Sequence, residues 1–270
     1  MIKTEMRNEN SRHIDRMTTS DMMHLMQEEN LNAVRAIESE LDQIGKAVDA
    51  VSERLMNGGR LFYIGCGTSG RLGVLDASEC PPTFGVSPDV VIGIIAGGDS
   101  ALRRAAEGAE DSAPAAVRDL SGYELCEKDA VVGISAAGGA AYVLGGLRYA
   151  KEQGALTVAL SCNEGCPIEE IADISIHPDT GAEVITGSTR MKAGSAHKMI
   201  LNMISTGVMV RLGHVYENLM INLRPSNIKL RARMIRIVSD ILCVEEDEAE
   251  RLLVENDFNI RKTVESIRFR

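Results

Sequence analysis

From Leu61 to Gly85 the chain reads Leu-Phe-Tyr-Ile-Gly-Cys-Gly-Thr-Ser-Gly-Arg-Leu-Gly-Val-Leu-Asp-Ala-Ser-Glu-Cys-Pro-Pro-Thr-Phe-Gly. A short apolar run meets a turn containing Gly65, Gly67 and Gly70, and a helical pattern follows. Such a turn brings backbone N–H groups close to an anion, with the positive end of the next helix behind them. Thr68 and Ser69 add hydroxyl donors, which suit a phosphate monoester with three exposed oxygens. Glu79 lies beyond the turn, and Glu110 lies in Glu107-Gly-Ala-Glu-Asp111. Two carboxyl groups near one phosphate can act as general acid and general base if their surroundings separate their pKa values. On residue type alone, both are more simply solvated surface acids.

A second hydroxyl cluster, Thr186, Ser188 and Thr189, stands beside Arg190 and Lys192 just before a long apolar helix. It is a second candidate anion site. Gly65-x-Gly67-x-x-Gly70 also fits the dinucleotide fingerprint. That fold places an acidic residue at the end of the second strand to hold a ribose. Asp89 precedes that strand and Asp99 lies further on, so a sugar phosphate is favoured over a dinucleotide. None of the five histidines forms a metal-like pair at helical spacing, and a structural role is expected for His197. Cys162 and Cys166 have no second pair to complete a zinc set, so no metal site is expected.

Short apolar runs at Leu61–Ile64, Val90–Ile95, Ala130–Ile134, Leu156–Leu160 and Ile174–Ile176 alternate with helical stretches at Arg71–Ala77, Ala101–Ala109, Tyr142–Gln153 and Pro167–Ile171. This pattern predicts an α/β sandwich of three layers, with a central parallel sheet covered on both faces. The glycine turns would lie at the carboxyl ends of the strands, where such sheets bind ligands. Upstream, a polar arm is followed by a helix starting near Thr19-Ser20-Asp21. One amphipathic stripe runs from Leu31, Val34 and Ile37 through Leu41, Ile44, Val48, Val51 and Leu55, and Asn57-Gly58-Gly59 ends it. The expected domains are an N-terminal arm with helices at 1–56, a central domain at 57–215 and a C-terminal helical region at 216–270. In the last, Asn227–Ile241, Asp247–Val254 and Lys262–Phe269 read as helices.

The chain has 270 residues and a formal net charge of -10, which argues against nucleic acid as a partner. No apolar run approaches the roughly 20 residues of a membrane span, and the N-terminus has no signal-peptide core. The six scattered cysteines fit reduced thiols and a cytoplasmic location.

Four segments resemble the N-acetylmuramic acid 6-phosphate etherase family of the sugar isomerase (SIS) phosphosugar-binding superfamily. They are Thr4-Glu-Met-Arg-Asn8, the stretch from Gly65 to Gly85, Glu107-Gly-Ala-Glu-Asp111, and Glu183-Val-Ile-Thr-Gly-Ser-Thr-Arg-Met-Lys-Ala-Gly194 continuing to Asn218-Leu-Met220. The resemblance implies the SIS fold and a homodimeric lyase of peptidoglycan recycling that needs no metal or organic cofactor. Its substrate is a small sugar phosphate, from which D-lactate leaves to give N-acetylglucosamine 6-phosphate. It puts the proton donor at Glu79 and the base and water activator at Glu110. The phosphate-binding positions expected from loops and resemblance together are Gly67, Thr68, Ser69, Ser135, Gly138, Gly139, Ser188, Thr189 and Lys192.

This chain departs from the family after the third strand. The family shows Ala-Ser-Gly-Arg-Thr-Pro-Tyr there; this chain has Ala136-Ala-Gly-Gly-Ala-Ala-Tyr142, with Ser135 the hydroxyl left nearby. Backbone N–H groups at Gly138 and Gly139 are left to bind phosphate. The stripped loop motivates one rival, a non-catalytic phosphosugar-binding regulator; a sugar-phosphate isomerase on the same fold is a third reading. The helix at Leu31–Leu55 is the candidate dimer interface.

Overall fold

The structure is a computed structural model that describes residues 2–223, 225 and 228–268. Backbone contacts group these into two compact units, residues 1–78 with 89–208, and residues 79–88 with 209–270.

The first unit is built on a five-stranded parallel sheet. Its strands are β1 (Leu61–Gly65), β2 (Val91–Ile95), β3 (Ala130–Ile134), β4 (Leu156–Leu160) and β5 (Ile174–Ile176), in the order β2-β1-β3-β4-β5. Residues of β1, β3 and β4 are buried throughout, which is why they read as unbroken apolar runs. Phe62, Ile64 and Val131 face α5 (Ala113–Ser121) and α6 (Ala141–Glu152), forming one core with Ala116, Leu120 and Leu147. On the other face, α3 (Gly67–Phe84) comes so close that a Cβ at Gly73 would stand 2.8 Å from Tyr63 Cβ. On that face α2 (Leu41–Met56) packs on β4 and β5, and α7 (Lys192–Arg211) crosses α2 where Gly207 meets Val48. The expected three-layer arrangement is therefore observed.

The expected single stripe from Leu31 to Leu55 is two helices, α1 (Thr19–Arg35) and α2, separated by a 3-10 turn at Glu38–Glu40. Glu40 is buried there because its carboxylate accepts the backbone N–H of His177, 3.1 Å away. The break shifts the helical phase, leaving Val34 and Leu41 about half exposed while Ile44, Val51 and Leu55 are buried. The polar N-terminal arm forms three 3-10 turns, at Lys3–Glu5, Glu9–Ser11 and Ile14–Arg16. Where Ala101–Ala109 was expected to be helical, only α4 (Ser100–Arg103) and a turn at Ala109–Asp111 form. The segment 167–171 makes turns rather than a helix.

The second unit carries a hairpin of β6 (Val215–Tyr216) and β7 (Leu219–Met220), and helices α8 (Ile228–Leu242), α9 (Glu246–Glu255) and α10 (Ile260–Arg268). Met234, Val238, Leu253 and Ile260 give it a core of its own. Asn227 and Phe269, which bounded two of the expected helices, lie outside the described residues.

Candidate active site

The chain passes from β1 to β2 on one side and returns to β3 on the other, so strand order reverses between β1 and β3. Ligands of open parallel sheets bind at such a switch point, outside the strands' carboxyl ends. A cavity of about 520 Å³ lies there, lined by residues of the turns after both strands. This volume falls in the range that holds a small metabolite.

Two helices begin at the cavity. Gly67, Thr68 and Ser69 are the first residues of α3, while Gly139, Ala140 and Ala141 lead into α6. The first N–H groups of a helix have no partner within it and carry its positive pole, so both termini offer donors to an anion. Gly70 makes the first turn possible, since a Cβ there would stand 2.5 Å from the Gly65 carbonyl oxygen. The start of α6 is anchored by the Tyr142 hydroxyl, which donates to Asp119 on α5 over 2.7 Å. Hydroxyls of Thr68, Ser69, Ser135 and Thr189 complete the polar lining.

Carboxylates supply the remaining chemistry. Glu110 and Asp111 line the cavity, as does Glu5 from the N-terminal arm. Burial, with the negative charges of Glu110 and Asp111 beside it, pushes the Cys66 thiol up to about 12. Cys66 is therefore a neutral thiol and no nucleophile at neutral pH. Among the described residues lining this cavity there is neither lysine nor arginine. The Arg71 guanidinium is engaged in holding the segment after β2, donating to the carbonyls of Ala101 (2.8 Å) and Leu102 (3.1 Å).

Of the expected site residues, the cavity gathers Gly67, Thr68, Ser69, Glu110, Ser135, Gly139 and Thr189. Gly138, Ser188, Lys192 and Glu79 are not among its lining residues. Gly138 has φ +76° and donates its N–H back to the Ser135 carbonyl, and a Cβ on it would overlap Cys166 Sγ at 2.1 Å. It shapes the turn rather than presenting a donor. Ser188 donates its N–H to the Ile185 carbonyl within its own turn.

The second anion site is filled by the chain itself. The buried Glu183 carboxylate accepts the N–H groups of Lys192 and Ala193, both at 3.0 Å, and so caps α7. The Lys192 ammonium pairs with Glu29 of α1 at 2.5 Å, with both side chains buried. Burial works against the Glu29 charge, but Lys192, Asn10 and Asn8 outweigh it and hold the carboxyl below its usual range. Lys192 is thus a buried structural cation.

Glu79 is exposed on α3 and belongs to the second compact unit. Asp76, in the same motif, has a packing role: it is buried and accepts from Asn202 (2.5 Å) and Ser205 (3.1 Å) of α7. Glu5 was not foreseen as a site residue, although the Thr4–Asn8 segment that carries it was noticed. Among the described residues no cluster of three metal-ligating side chains occurs, and no helix is long and apolar enough to cross a membrane.

The sheet, its strand order and the switch-point cavity define a SIS-type domain. Residues 43–151 match the family model described as the glucokinase regulatory protein N-terminal SIS domain. Among solved structures, a phosphoheptose isomerase from Francisella tularensis superposes with a TM-score of 0.57 at 19% identity, covering 71% of this chain and 98% of that one. A phosphoheptose isomerase from Neisseria gonorrhoeae gives 0.52 at 17% identity, with the same coverage of 71% and 98%. At such identities the likeness concerns the fold alone. Two curated relatives are far more similar. An N-acetylmuramic acid 6-phosphate etherase from Caldanaerobacter subterraneus subsp. tengcongensis is 53% identical over 97% of this chain and 85% of its own length. One from Clostridium beijerinckii is 51% identical over 97% and 86%. The chain belongs to the N-acetylmuramic acid 6-phosphate etherase family.

Proposed function

We propose that this protein cleaves the D-lactyl ether of N-acetylmuramic acid 6-phosphate, giving N-acetylglucosamine 6-phosphate and D-lactate. The observation that carries the reading is the meeting of two helix N-termini and four hydroxyls with Glu110 in one switch-point cavity. Phosphate sits against the termini of α3 and α6, held by Thr68, Ser69, Ser135 and backbone N–H groups at Gly67 and Gly139. The side chains missing from the second loop leave its share of the binding to the α6 terminus.

In the ring-opened sugar the C1 aldehyde acidifies the C2 proton, because it stabilises the enolate. Glu110 removes that proton. The C3–O bond then breaks, and a carboxylic acid protonates the departing lactyl oxygen. Water, activated by Glu110, adds at C3 of the resulting double bond while C2 regains a proton. The sum is one water consumed and one lactate released, with no redox change and no step calling for a metal.

Glu79 is the proton donor in this reading, supplied by a second copy of the chain. Glu79 is not among the cavity's lining residues, which supports its delivery across a homodimer. The protein acts in the cytoplasm, in peptidoglycan recycling; six free thiols fit a reducing compartment.

The test is D-lactate release from the purified protein with the 6-phosphate at millimolar concentration, run beside the unphosphorylated sugar. Release from the first and far less from the second is expected. No lactate from either would refute the reading. The stripped Ala136–Ala141 segment favours a second reading, a phosphosugar-binding regulator. Thermal stabilisation by the 6-phosphate without product would select it.

A further inference from the structure

The N-terminal arm is stitched along the cavity rim by buried polar contacts. Thr4 is fully buried, and Asn163, itself buried, bridges the arm to the turn after β3. Asn163 Oδ1 accepts the Lys3 N–H at 2.6 Å, while Nδ2 donates to Thr4 Oγ1 (3.2 Å) and to the Ala136 carbonyl (2.9 Å). Further along, Asn8 donates to the Ala182 carbonyl and Ser11 to the Val184 carbonyl. Between these fixings the Glu5 side chain is left exposed and enters the cavity. Its carboxylate lies beside Gly187, where an added Cβ would stand 3.2 Å from Glu5 Oε2.

A phosphate monoester carries about −1.5 to −2 charge at pH 7. It is repelled by Glu5, Glu110 and Asp111, so it takes the helix-terminus end of the cavity and leaves the carboxylates facing the sugar chain. Glu110 is committed to C2 and C3 in the proposed reaction. An ionised carboxylate is acceptor-only and binds hydroxyl donors with strong charge-assisted hydrogen bonds.

We infer that Glu5 is a specificity-determining residue that accepts hydrogen bonds from the C4 and C5 hydroxyls of the open-chain sugar, and that Asn163 is the positioning residue that holds it there. The inference rests on the sugar-phosphate reading of the cavity. It explains why an exposed acid is carried on an arm whose neighbour, Thr4, is buried without reserve.

Calorimetric titration of the full-length protein with N-acetylglucosamine 6-phosphate and with ethyl phosphate, which has the phosphate but no hydroxyls, tests it. Glu5→Ala is expected to weaken the sugar phosphate roughly tenfold or more, since both charge-assisted bonds are lost, and to leave ethyl phosphate unchanged or tighter. Glu5→Gln, which keeps one acceptor oxygen, falls between, and in turnover it raises KM while kcat is retained. Asn163→Ala costs no further sugar affinity on the Glu5→Ala background, since it acts through that residue. Equal weakening of both probes would mean a structural role and overturn the inference, as would unchanged affinity for both. Failure of the wild-type protein to bind N-acetylglucosamine 6-phosphate at millimolar concentration would overturn it too. Selective loss in Glu5→Ala without lactate release by the wild type would sink the etherase reaction and leave the Glu5 contact standing.

Discussion

Acidification should destabilise this protein through His197. The side chain lies on α7, fully buried, with Nε2 3.3 Å from Cys162 Sγ. The ring also interacts with the backbone of Ser161, which favours the charged form but is outweighed by burial. Both groups are neutral: burial pushes the Cys162 thiol up to about 12 and pulls His197 down to about 4, from an ordinary value of 6.5. In the unfolded chain His197 takes up a proton below pH 6.5, whereas in the folded protein it resists until about pH 4. Its contribution is therefore intact above the unfolded value and is lost as pH falls between the two. At 1.36 kcal/mol per pKa unit the whole loss is about 3 kcal/mol, of which about 2 kcal/mol has gone by pH 5. Urea unfolding at pH 8, 7, 6 and 5 should show this loss in the wild type. In His197→Gln, which keeps a polar side chain there without titrating, that part of the pH dependence should disappear. The comparison is made on slope against pH, so any uniform change in the variant's stability drops out. Parallel pH profiles for the two proteins would refute the reasoning, as would an NMR titration of the His197 ring near 6.5.

Further outcomes are expected for the glutamates and for the buried ion pair. Glu79→Gln and Glu110→Gln should each abolish lactate release; co-expressed, they should recover roughly a quarter of wild-type activity, because one site in each mixed dimer then holds both native acids. No recovery would place both glutamates of a site in one subunit. Lys192→Met should cost about 3–5 kcal/mol in urea unfolding by leaving Glu29 buried and unpaired, and adding Glu29→Gln should restore much of it. A loss below about 1 kcal/mol would show the pair to be solvated.

Elements specified by local signals were legible in the sequence. Runs such as Ala130–Ile134 and Leu156–Leu160 coincide with β3 and β4 because central parallel strands are buried on both faces and tolerate only apolar residues. The helix ends were harder to read. The α3 helix continues through Pro81 and Pro82 to Phe84, and the prolines surrender N–H donors only near its last turns. The α1–α2 break depends on Glu40 meeting the backbone of His177, a partner that no neighbouring residue announces.

For the site, the residue types of the first turn pointed to phosphate, and the sheet topology gave the turn its place at the switch point. Lys192 shows the opposite case. Beside Ser188 and Thr189 in sequence it has the look of an anion ligand, but Glu29, far off along the chain, claims the lysine, and Glu183, nine residues upstream, claims the helix terminus beside it. Glu5 looked like one acid in a polar arm until Asn163 and Thr4 fixed the arm over the cavity. Backbone-donor chemistry and buried strands are written in short windows of sequence, because glycine, hydroxyl and apolar patterns act over a few residues. Which charges are engaged by the protein itself depends on partners brought together from distant positions, and for Lys192 and Glu5 that lies in the tertiary structure.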